Sequence, residues 1–341
     1  MKKLIIMSIA AVLLATVCFL VAELYVPVTY NKNEVELQIP KGASLRRAVD
    51  ILRDKGILRQ LSMVFYAGKL KAIDRDLKAG FYAFHTGSTP LDVLAILTKG
   101  DTLKVKLMVI PGETLKDIAA KFPTLTGSET AEFLTLASNK EFLNSIDIKA
   151  ASAEGYLYPE TYIFEKGVTP KEGITKMAQL LRKNYPTDFK DRLKRVGLSE
   201  HELLTLASIV EKEAKADSDR PLIAAVYLNR LRIGMPLQAD PTSIYGVKDF
   251  KYGVSKSDLQ NNTPYNTYLH TGLPPGPIAS PSLKSITASL NPANVPYLYF
   301  VSKKDGTHFF SETYTSHQQA VGRYSGRPSA VHNVNNPKKR R

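Results

Sequence analysis

An uninterrupted apolar run near the N-terminus is the strongest constraint that this sequence places on its structure. Leu4 to Ala22 are nineteen consecutive residues without a charge or a proline. As a helix that rises about 1.5 Å per residue, the run spans roughly 28 Å, close to the thickness of the hydrocarbon core of a bilayer. We therefore predict a single transmembrane anchor over residues 4–23, preceded by a cytoplasmic segment at residues 1–3.

The residues around the run predict its orientation. Lys2 and Lys3 precede it, and positive charges stay on the cytoplasmic side of a membrane, so residues 24–341 are expected on the periplasmic or extracellular side of the cytoplasmic (inner) membrane. A secretory signal peptide has a shorter apolar core and an A-x-A-like cleavage site, and no such site follows Ala22. Cleavage of the run and lipidation at Cys18 stay open as alternatives.

The charge balance limits the class of partner. The 46 Lys and Arg residues against 32 Asp and Glu give a net charge of +14, which suits nucleic acid, an anionic membrane surface or an acidic polymer. Because an exported chain does not meet DNA, we exclude nucleic acid. The single cysteine excludes a disulfide framework and a zinc cluster of several cysteines, and we predict no metal and no cofactor.

The rest of the chain alternates short strands and helices, which predicts an α+β fold. Residues 33–86 have the order strand, helix, helix, strand, with an alternating apolar pattern at 35–39 and Ser44 as a helix N-cap. This βααβ order resembles a LysM-like module, a small fold that binds cell-wall glycan. We further predict a connecting βα region over 87–152, a mixed α/β catalytic domain over 153–322 and a basic disordered tail over 323–341.

Two carboxylates near the end of one predicted helix are the best candidates for catalysis. Residues 199–202 form a capping box that begins this helix. At about 100° per residue, Glu211 and Glu213 both fall within its apolar arc. Buried charge is costly without a partner, so each carboxylate either pairs with a cation or stays protonated. A protonated carboxyl in a partly apolar cleft is a general acid at neutral pH.

The pattern alone leaves the roles of these carboxylates open. The structural alternative is an ion pair with Arg220 or Arg230. In the functional alternative Glu213 is the acid, and Glu211 is a hydrogen-bonding support or an ion-pair partner. The sequence contains no H-E-x-x-H motif, no G-x-S-x-G elbow and no phosphate-binding glycine loop. An enzyme that uses a carboxylate on a neutral polymer is the remaining catalytic class.

Seven short motifs occur in a fixed order through the second half of the chain. They are Glu154–Tyr162, Ala207–Glu213, Tyr227–Gly234, Leu237–Thr242 with Ile244–Gly246, Tyr265–Tyr268, Gly272–Gly276 and Pro296–Val301. In this order they resemble the MltG (YceG-like) endolytic murein transglycosylases, and the resemblance extends over roughly residues 34–320.

The resemblance implies a membrane-anchored lyase that cuts inside peptidoglycan glycan strands. The bond cut joins N-acetylmuramic acid to N-acetylglucosamine, and the muramyl C6 hydroxyl closes a 1,6-anhydro ring. By resemblance, Glu213 is the catalytic acid and base, and Asp240 and Glu160 are the candidates for a second carboxylate partner. The positions that match family motifs and are assigned to substrate binding are Gln238, Asp240, Thr242, Tyr265 and Asn266.

The resemblance also implies partners, and two alternative functions stay open. Peptidoglycan synthases are implied as protein partners, with the enzyme as a terminase of nascent strand elongation. One alternative is a muramidase-type hydrolase, in which water attacks instead of the C6 hydroxyl. The other is a non-catalytic scaffold that binds glycan through the LysM-like module.

Overall fold

The computed structural model describes residues 2–29, 32–59, 61–71, 73, 76–127 and 129–325. Over these residues the chain has the predicted mixed α+β fold, with its strands paired in three two-stranded sheets. The described chain divides into two compact units. The first unit takes residues up to 107 with 125–127 and 163–168, and the second takes 108–124, 129–162 and 169–325. The connecting region predicted over 87–152 is therefore shared between the two units.

The N-terminal apolar run is a helix, α1 (Lys2–Ala22). Its mean hydropathy over residues 3–22 is 2.9, and its apolar side chains are exposed. A helix of this length and composition is able to cross a membrane, and a signal sequence has the same properties. Exposure of so many large apolar side chains is unfavourable in water, which is the physical reason to expect lipid around them.

The next elements follow the order predicted from the sequence. They are β1 (Glu34–Ile39), α2 (Leu45–Asp54), α3 (Leu61–Leu70), β2 (Gly80–His85), α4 (Pro90–Lys99) and β3 (Lys104–Met108). β1 and β2 are antiparallel, with Leu37 opposite Tyr82 and Glu34 opposite His85.

The predicted helix caps of this unit are present. Ser44 accepts a hydrogen bond from the backbone N–H of Arg47, and Thr89 forms a capping box with Asp92. α2 buries four apolar residues on one face, and α3 packs closely against it, since a Cβ on Gly68 would lie 2.7 Å from Leu45. Glycine at position 68 therefore permits this close approach of the two helices.

The following segment contains short helices and one strand. The elements are α5 (Leu115–Lys121), α6 (Pro123–Thr126), α7 (Thr130–Leu136), α8 (Lys140–Ser145), β4 (Thr161–Glu165) and α9 (Pro170–Lys183). The extended segment predicted over 154–164 is a strand only from Thr161. The residues before it form turns in which Gly155 has φ +79°, and a Cβ there would lie 2.3 Å from Pro277.

The C-terminal part contains the helices that position the site and two short strands. They are α10 (Phe189–Val196), α11 (Glu200–Glu213), α12 (Arg220–Arg232), β5 (Tyr299–Ser302), β6 (His308–Ser311) and α14 (Tyr314–Ser325), with α13 (Leu283–Leu290) before β5. α11 and α12 share a buried apolar cluster with Leu237, Ala239 and Ile278. β5 and β6 are two short antiparallel strands, with Phe300 opposite Phe310.

Three helices in this part were not predicted. These helices are α10, α13 and α14. The sequence of α10 is rich in basic residues, and α13 lies in a segment interpreted as turns and short strands. The disordered tail predicted from residue 323 is wrong at its start, because α14 continues to Ser325. Residues 326–341 lie outside the described residues.

Candidate active site

The final turn of α11 carries the two carboxylates singled out in the sequence. The helix begins with the predicted capping box, in which Ser199 and Glu202 exchange side-chain to backbone hydrogen bonds. All eight residues of 203–210 are buried, and Ala214 has an extended backbone that ends the helix. Glu211 and Glu213 therefore stand where the buried part of the helix meets the solvent-accessible part.

Glu211 is part of a buried ion pair. Its Oε2 lies 3.2 Å from Nη1 of Arg220, and the two side chains are only 7% and 10% exposed. The same oxygen accepts hydrogen bonds from the backbone N–H and hydroxyl of Ser282 and from the hydroxyl of Ser285, 2.8 Å away. Four donors satisfy the charge of Glu211, so this residue has the ion-pair role that the sequence left open for it.

Glu213 has a different environment. Its half-buried carboxylate accepts one hydrogen bond, from the hydroxyl of Tyr227 at 3.1 Å, and among the described residues no cation pairs with it. Desolvation, followed by the negative charge of Asp240, raises the pKa of Glu213 to about 7, against the lowering effect of Tyr227. A carboxyl with this pKa holds a proton near neutral pH and can also release it.

Asp240 lies on the loop after α12, within the electrostatic range of Glu213. Its residue is exposed, and its Oδ1 accepts a hydrogen bond from the hydroxyl of Tyr268. Burial and this bond to Asp240 both raise the pKa of Tyr268, and the charge of Glu213 adds to the effect. Glu213, Tyr227, Asp240 and Tyr268 thus form one connected polar group at the surface of the second unit.

The loop that carries Asp240 is held by Arg230. Its guanidinium Nη1 donates to the carbonyls of Pro236 and Leu237 at 3.1 and 2.8 Å, and it reaches Oε1 of Gln238 at 3.5 Å. Gln238 is exposed and has φ +48°, a conformation that costs energy in a residue with a side chain. Arg230 therefore has a structural role here and does not pair with Glu213.

Thr242 and Asn266, two of the predicted substrate-binding residues, lie inside the protein. Both are fully buried. The hydroxyl of Thr242 bonds to Ala239 O at 2.6 Å and to Thr267 at 2.8 Å. The side-chain amide of Asn266 donates to the carbonyls of Leu259 and Asn261. Their polar groups already have partners inside the protein, so these two side chains hold the surrounding loops in place and are not exposed for direct contact with a ligand.

Tyr265 belongs to a second group of side chains. Its ring lies 4.6 Å from the ring of Tyr245, and the hydroxyl of Tyr245 donates to Glu154 at 2.9 Å. Glu154 is buried, and both of its oxygens accept from the backbone N–H of Leu115, which begins α5. Desolvation raises the pKa of Glu154 to about 7, although these hydrogen bonds lower it. Within the described contacts, Tyr268 and not Tyr265 is the tyrosine joined to the Asp240 and Glu213 group.

A cavity of about 290 Å³ lies beside this second group. Glu154 and Tyr245 line it together with Thr114, Asp117 and Phe250. Among the described residues, at this cavity and outside it, no cluster of three or more His, Cys, Asp or Glu side chains is placed to hold a metal ion.

Reasoning from the sequence missed the contributions of Tyr227, Tyr268 and Arg230. All three stand within the ordered motifs, so the signal was present, but residue type and spacing do not say which tyrosine reaches which carboxylate. Only the packing of α12 beside α11 brings Tyr227 to Glu213, which is 14 positions earlier in the chain.

Comparison with known proteins gives consistent matches over most of the chain. The model of the YceG-like family matches residues 37–323. The endolytic murein transglycosylase of Bacillus subtilis (strain 168) is 33% identical over 309 residues, which are 86% of each protein. The endolytic murein transglycosylase of Streptococcus pneumoniae serotype 2 (strain D39) is 33% identical over 327 residues, but the match takes only 59% of its length.

A solved structure is similar as well. The crystal structure of a yceG-like protein from Listeria monocytogenes superposes with a TM-score of 0.59 at 32% sequence identity, and the match covers 85% of this chain and 99% of the other.

Proposed function

The chain belongs to the YceG-like family, and from this membership we propose that it is a membrane-anchored endolytic lytic transglycosylase of peptidoglycan. Its B. subtilis and S. pneumoniae relatives are endolytic murein transglycosylases, and this chain is an enzyme of the same class. Its substrate is the glycan strand, cut at the bond between N-acetylmuramic acid and N-acetylglucosamine. The products carry 1,6-anhydromuramyl ends.

The placement of Glu213, at the last residue of α11 with Tyr227 as its hydrogen-bond donor, is the observation that carries this proposal. Its carboxyl has a pKa of about 7, so at neutral pH a large fraction of the enzyme is able to protonate the glycosidic oxygen as the bond breaks. The resulting carboxylate then accepts the proton of the muramyl C6 hydroxyl, whose oxygen bonds to C1. The proton returns to Glu213, and no water is consumed.

Other side chains have supporting parts. Tyr227 orients the carboxylate of Glu213, and the exposed Gln238 and Asp240 are placed for contact with the sugar. The flat face of a tyrosine ring packs well on the apolar face of a sugar ring, so we also keep Tyr265 as a substrate-binding residue. Thr242 and Asn266 fix the 238–242 loop from within the protein.

The remaining parts of the proposal concern location and partners. We propose that α1 is a retained anchor, that residues 33–86 are a LysM-like module that binds glycan, and that peptidoglycan synthases are partners whose growing strands the enzyme terminates. The exposed apolar surface of α1 supports the first of these, and the antiparallel β1 and β2 around two helices support the second.

Digestion of purified glycan strands by the full-length protein in detergent tests the activity. Mass analysis should find 1,6-anhydromuramyl ends, each lighter by one water than the end formed by hydrolysis. Glu213→Gln keeps the size of the side chain and should abolish cleavage. Glu160→Gln, at an exposed carboxylate that bonds to the backbone of Thr161, should cleave at the wild-type rate.

The alternatives give different results in the same assay. Reducing muramyl ends would identify a hydrolase. Binding of glycan by wild-type protein without any cleavage would identify a scaffold, and full activity of Glu213→Gln would reject the assignment of the acid.

A further inference from the structure

The sequence offered two carboxylates, Glu160 and Asp240, as a possible partner for Glu213, and the structure separates them. Glu160 is exposed, its Oε1 accepts from the adjacent backbone N–H of Thr161, and its charge acts on Tyr158 and Tyr162. Tyr158 precedes β4 and Tyr162 lies within it. The negative charge that raises the pKa of Glu213 is that of Asp240 and not that of Glu160.

Asp240 shares an environment with Glu213. Tyr268 joins the two groups, because its hydroxyl donates to Asp240 and lies within the field of Glu213. Tyr227 joins them as well, since it donates to Glu213 and lies within the field of Asp240. The short 3-10 turn that begins at Asp240 also packs against α11, whose last residue is Glu213. The two carboxylates therefore lie on adjoining elements.

Their exposure and bonding differ in a way that suits different roles. Glu213 is half-buried, with a single phenol as donor, whereas Asp240 is exposed and, among the described residues, only its Oδ1 has a hydrogen-bond donor. Pairs of carboxylates whose environments favour opposite protonation states divide the acid and anion roles of glycosidic cleavage.

The backbone around Asp240 is held more firmly than an ordinary surface loop. The Arg230 guanidinium bonds to two carbonyls before it, and Ala239 N–H donates to the hydroxyl of Thr267 at 3.0 Å. This bonding maintains Gln238 at φ +48°. A strained residue held in place by a buried network is typical of a site that needs a fixed position for one side chain.

We propose that Asp240 is a second catalytic residue, whose carboxylate stabilises the positive charge that develops at muramyl C1, and that Tyr268 is its positioning residue. This inference rests on the proposed function and names a role that the action of Glu213 as acid and base does not include.

The reaction remains balanced with this assignment. The electron pair of the C1–O bond goes to the leaving oxygen, which receives the proton of Glu213. The positive charge is then shared between C1 and the ring oxygen, opposite the anion of Asp240, which forms no bond and exchanges no proton. The C6 oxygen bonds to C1 and gives its proton to Glu213, which restores the enzyme.

The experiment measures kcat, KM and the pH dependence of kcat/KM for full-length wild type, Asp240→Asn, Tyr268→Phe and the control Asp191→Asn, an exposed aspartate on α10. Asp240→Asn should lower kcat about 100-fold, the scale on which one transition-state contact acts, with KM changed less than about threefold. Tyr268→Phe should lower kcat about tenfold, because Asp240 keeps its charge but not its orientation. Asp191→Asn should match wild type.

The pH dependence of kcat/KM distinguishes a change in the site from a folding defect, which lowers the amount of active enzyme without moving its pH profile. The charge of Asp240 raises the pKa of Glu213, so the loss of activity at high pH should begin at a lower pH in Asp240→Asn. If Asp240→Asn raises KM and leaves kcat unchanged, or if its loss of activity begins at the same high pH as in wild type, the proposal is overturned and Asp240 is left as a sugar-binding residue.

The same digests keep this proposal distinct from the proposed function. The type of muramyl end produced by wild type tests the transglycosylase, whereas the fall in kcat tests Asp240, because hydrolysis passes through the same positive charge. Reducing ends from wild type together with a 100-fold fall of kcat in Asp240→Asn would therefore reject the transglycosylase and support the role of Asp240. No cleavage by wild type would reject both.

Discussion

At the scale of single residues, two carboxylates in one helical turn have opposite surroundings. Glu211 has four donors, including the guanidinium of Arg220, and Glu213 has one phenol and a nearby negative charge. The first arrangement is a buried ion pair with its hydrogen-bonding capacity satisfied, and the second raises the pKa of Glu213. On the proposed function, position 211 serves stability and position 213 serves catalysis, and substitutions should separate the two effects.

Exchange of each glutamate for glutamine should give opposite results. The pKa of Glu213 rises from 4.5 to about 7 in the folded protein. Because the unfolded chain loses this proton near pH 4.5, the free energy of unfolding falls as the pH rises from 4.5 to 7. Glu213→Gln removes that loss, so the inactive variant should be more stable than wild type by about 3 kcal/mol above pH 7 and unchanged below pH 4.

Glu211→Gln is the matched comparison. It leaves Arg220 buried without a full counter-charge and should cost about 3 kcal/mol, while folded molecules keep the wild-type kcat. Thermal unfolding at pH 4 and pH 8, together with the cleavage assay, measures both variants. Equal destabilisation by the two substitutions would contradict the division of roles.

Tyr227 allows a test of the proton on Glu213. Its hydroxyl stabilises the charged carboxylate, so Tyr227→Phe should raise the pKa of Glu213 above about 7. Because the first step needs protonated Glu213, the loss of kcat/KM at high pH should move to a higher pH, opposite to the shift expected for Asp240→Asn. Tyr314→Phe, at an exposed ring, should keep the wild-type profile. If the loss of kcat/KM at high pH is unchanged in Tyr227→Phe, a group other than Glu213 controls that loss.

At the scale of elements, local signals were sufficient where a helix is defined by its own caps. The capping boxes at Thr89 and Ser199 and the end of α4 at Gly100 follow from residue types a few positions apart. Asp219 stands at the N-cap position of α12, but its side chain makes no capping hydrogen bond. It accepts instead from the backbone N–H of His308 at 2.8 Å, 89 positions away, and lies 2.9 Å from Nδ1 of the His308 ring.

Glu154 shows how one buried side chain fixes an element. It accepts from Leu115 N–H at the start of α5 and from Tyr245, which packs on Tyr265. Glu154→Ala should cost about 3 kcal/mol, because it leaves two buried donors unsatisfied. Glu154→Gln keeps one acceptor oxygen and should cost about 1 kcal/mol.

Thermal unfolding and amide hydrogen exchange check this prediction. In Glu154→Ala the amide of Leu115 should exchange faster, whereas amides in α2 of the first unit should keep their wild-type rates. Equal stability of the alanine and glutamine variants would contradict the role of Glu154 as a cap.

At the scale of the whole molecule, charge and hydropathy describe location more than chemistry. Residues 41–122 contain 15 basic and 8 acidic side chains, and six further basic residues follow Val321. The positive charge is thus distributed along the chain. We expect it to favour residence between an anionic membrane surface and a wall that carries carboxylates, with weaker wall binding as salt increases.

Removal of residues 2–22 tests the anchor. Wild type should stay in the membrane fraction after a high-salt wash and should have the intact mass of the uncleaved chain. The shortened protein should be recovered in the soluble fraction, and it should cleave purified glycan strands within about twofold of the wild-type rate, because the anchor adds no residue to the site. A wild-type mass that lacks the apolar run would identify a cleaved signal instead.

The sequence by itself determined the features that depend on near neighbours. The apolar run, the helix caps and the position of Glu213 near the end of a helix all follow from residues within a few positions of one another, and the ordered motifs indicated the family. Only the tertiary structure decided which carboxylate is ion-paired and which has a raised pKa. Arg220, Ser282, Tyr227 and Asp240 reach the end of α11 from separate elements, and a pKa depends on charges and burial in space, which spacing along a chain does not specify.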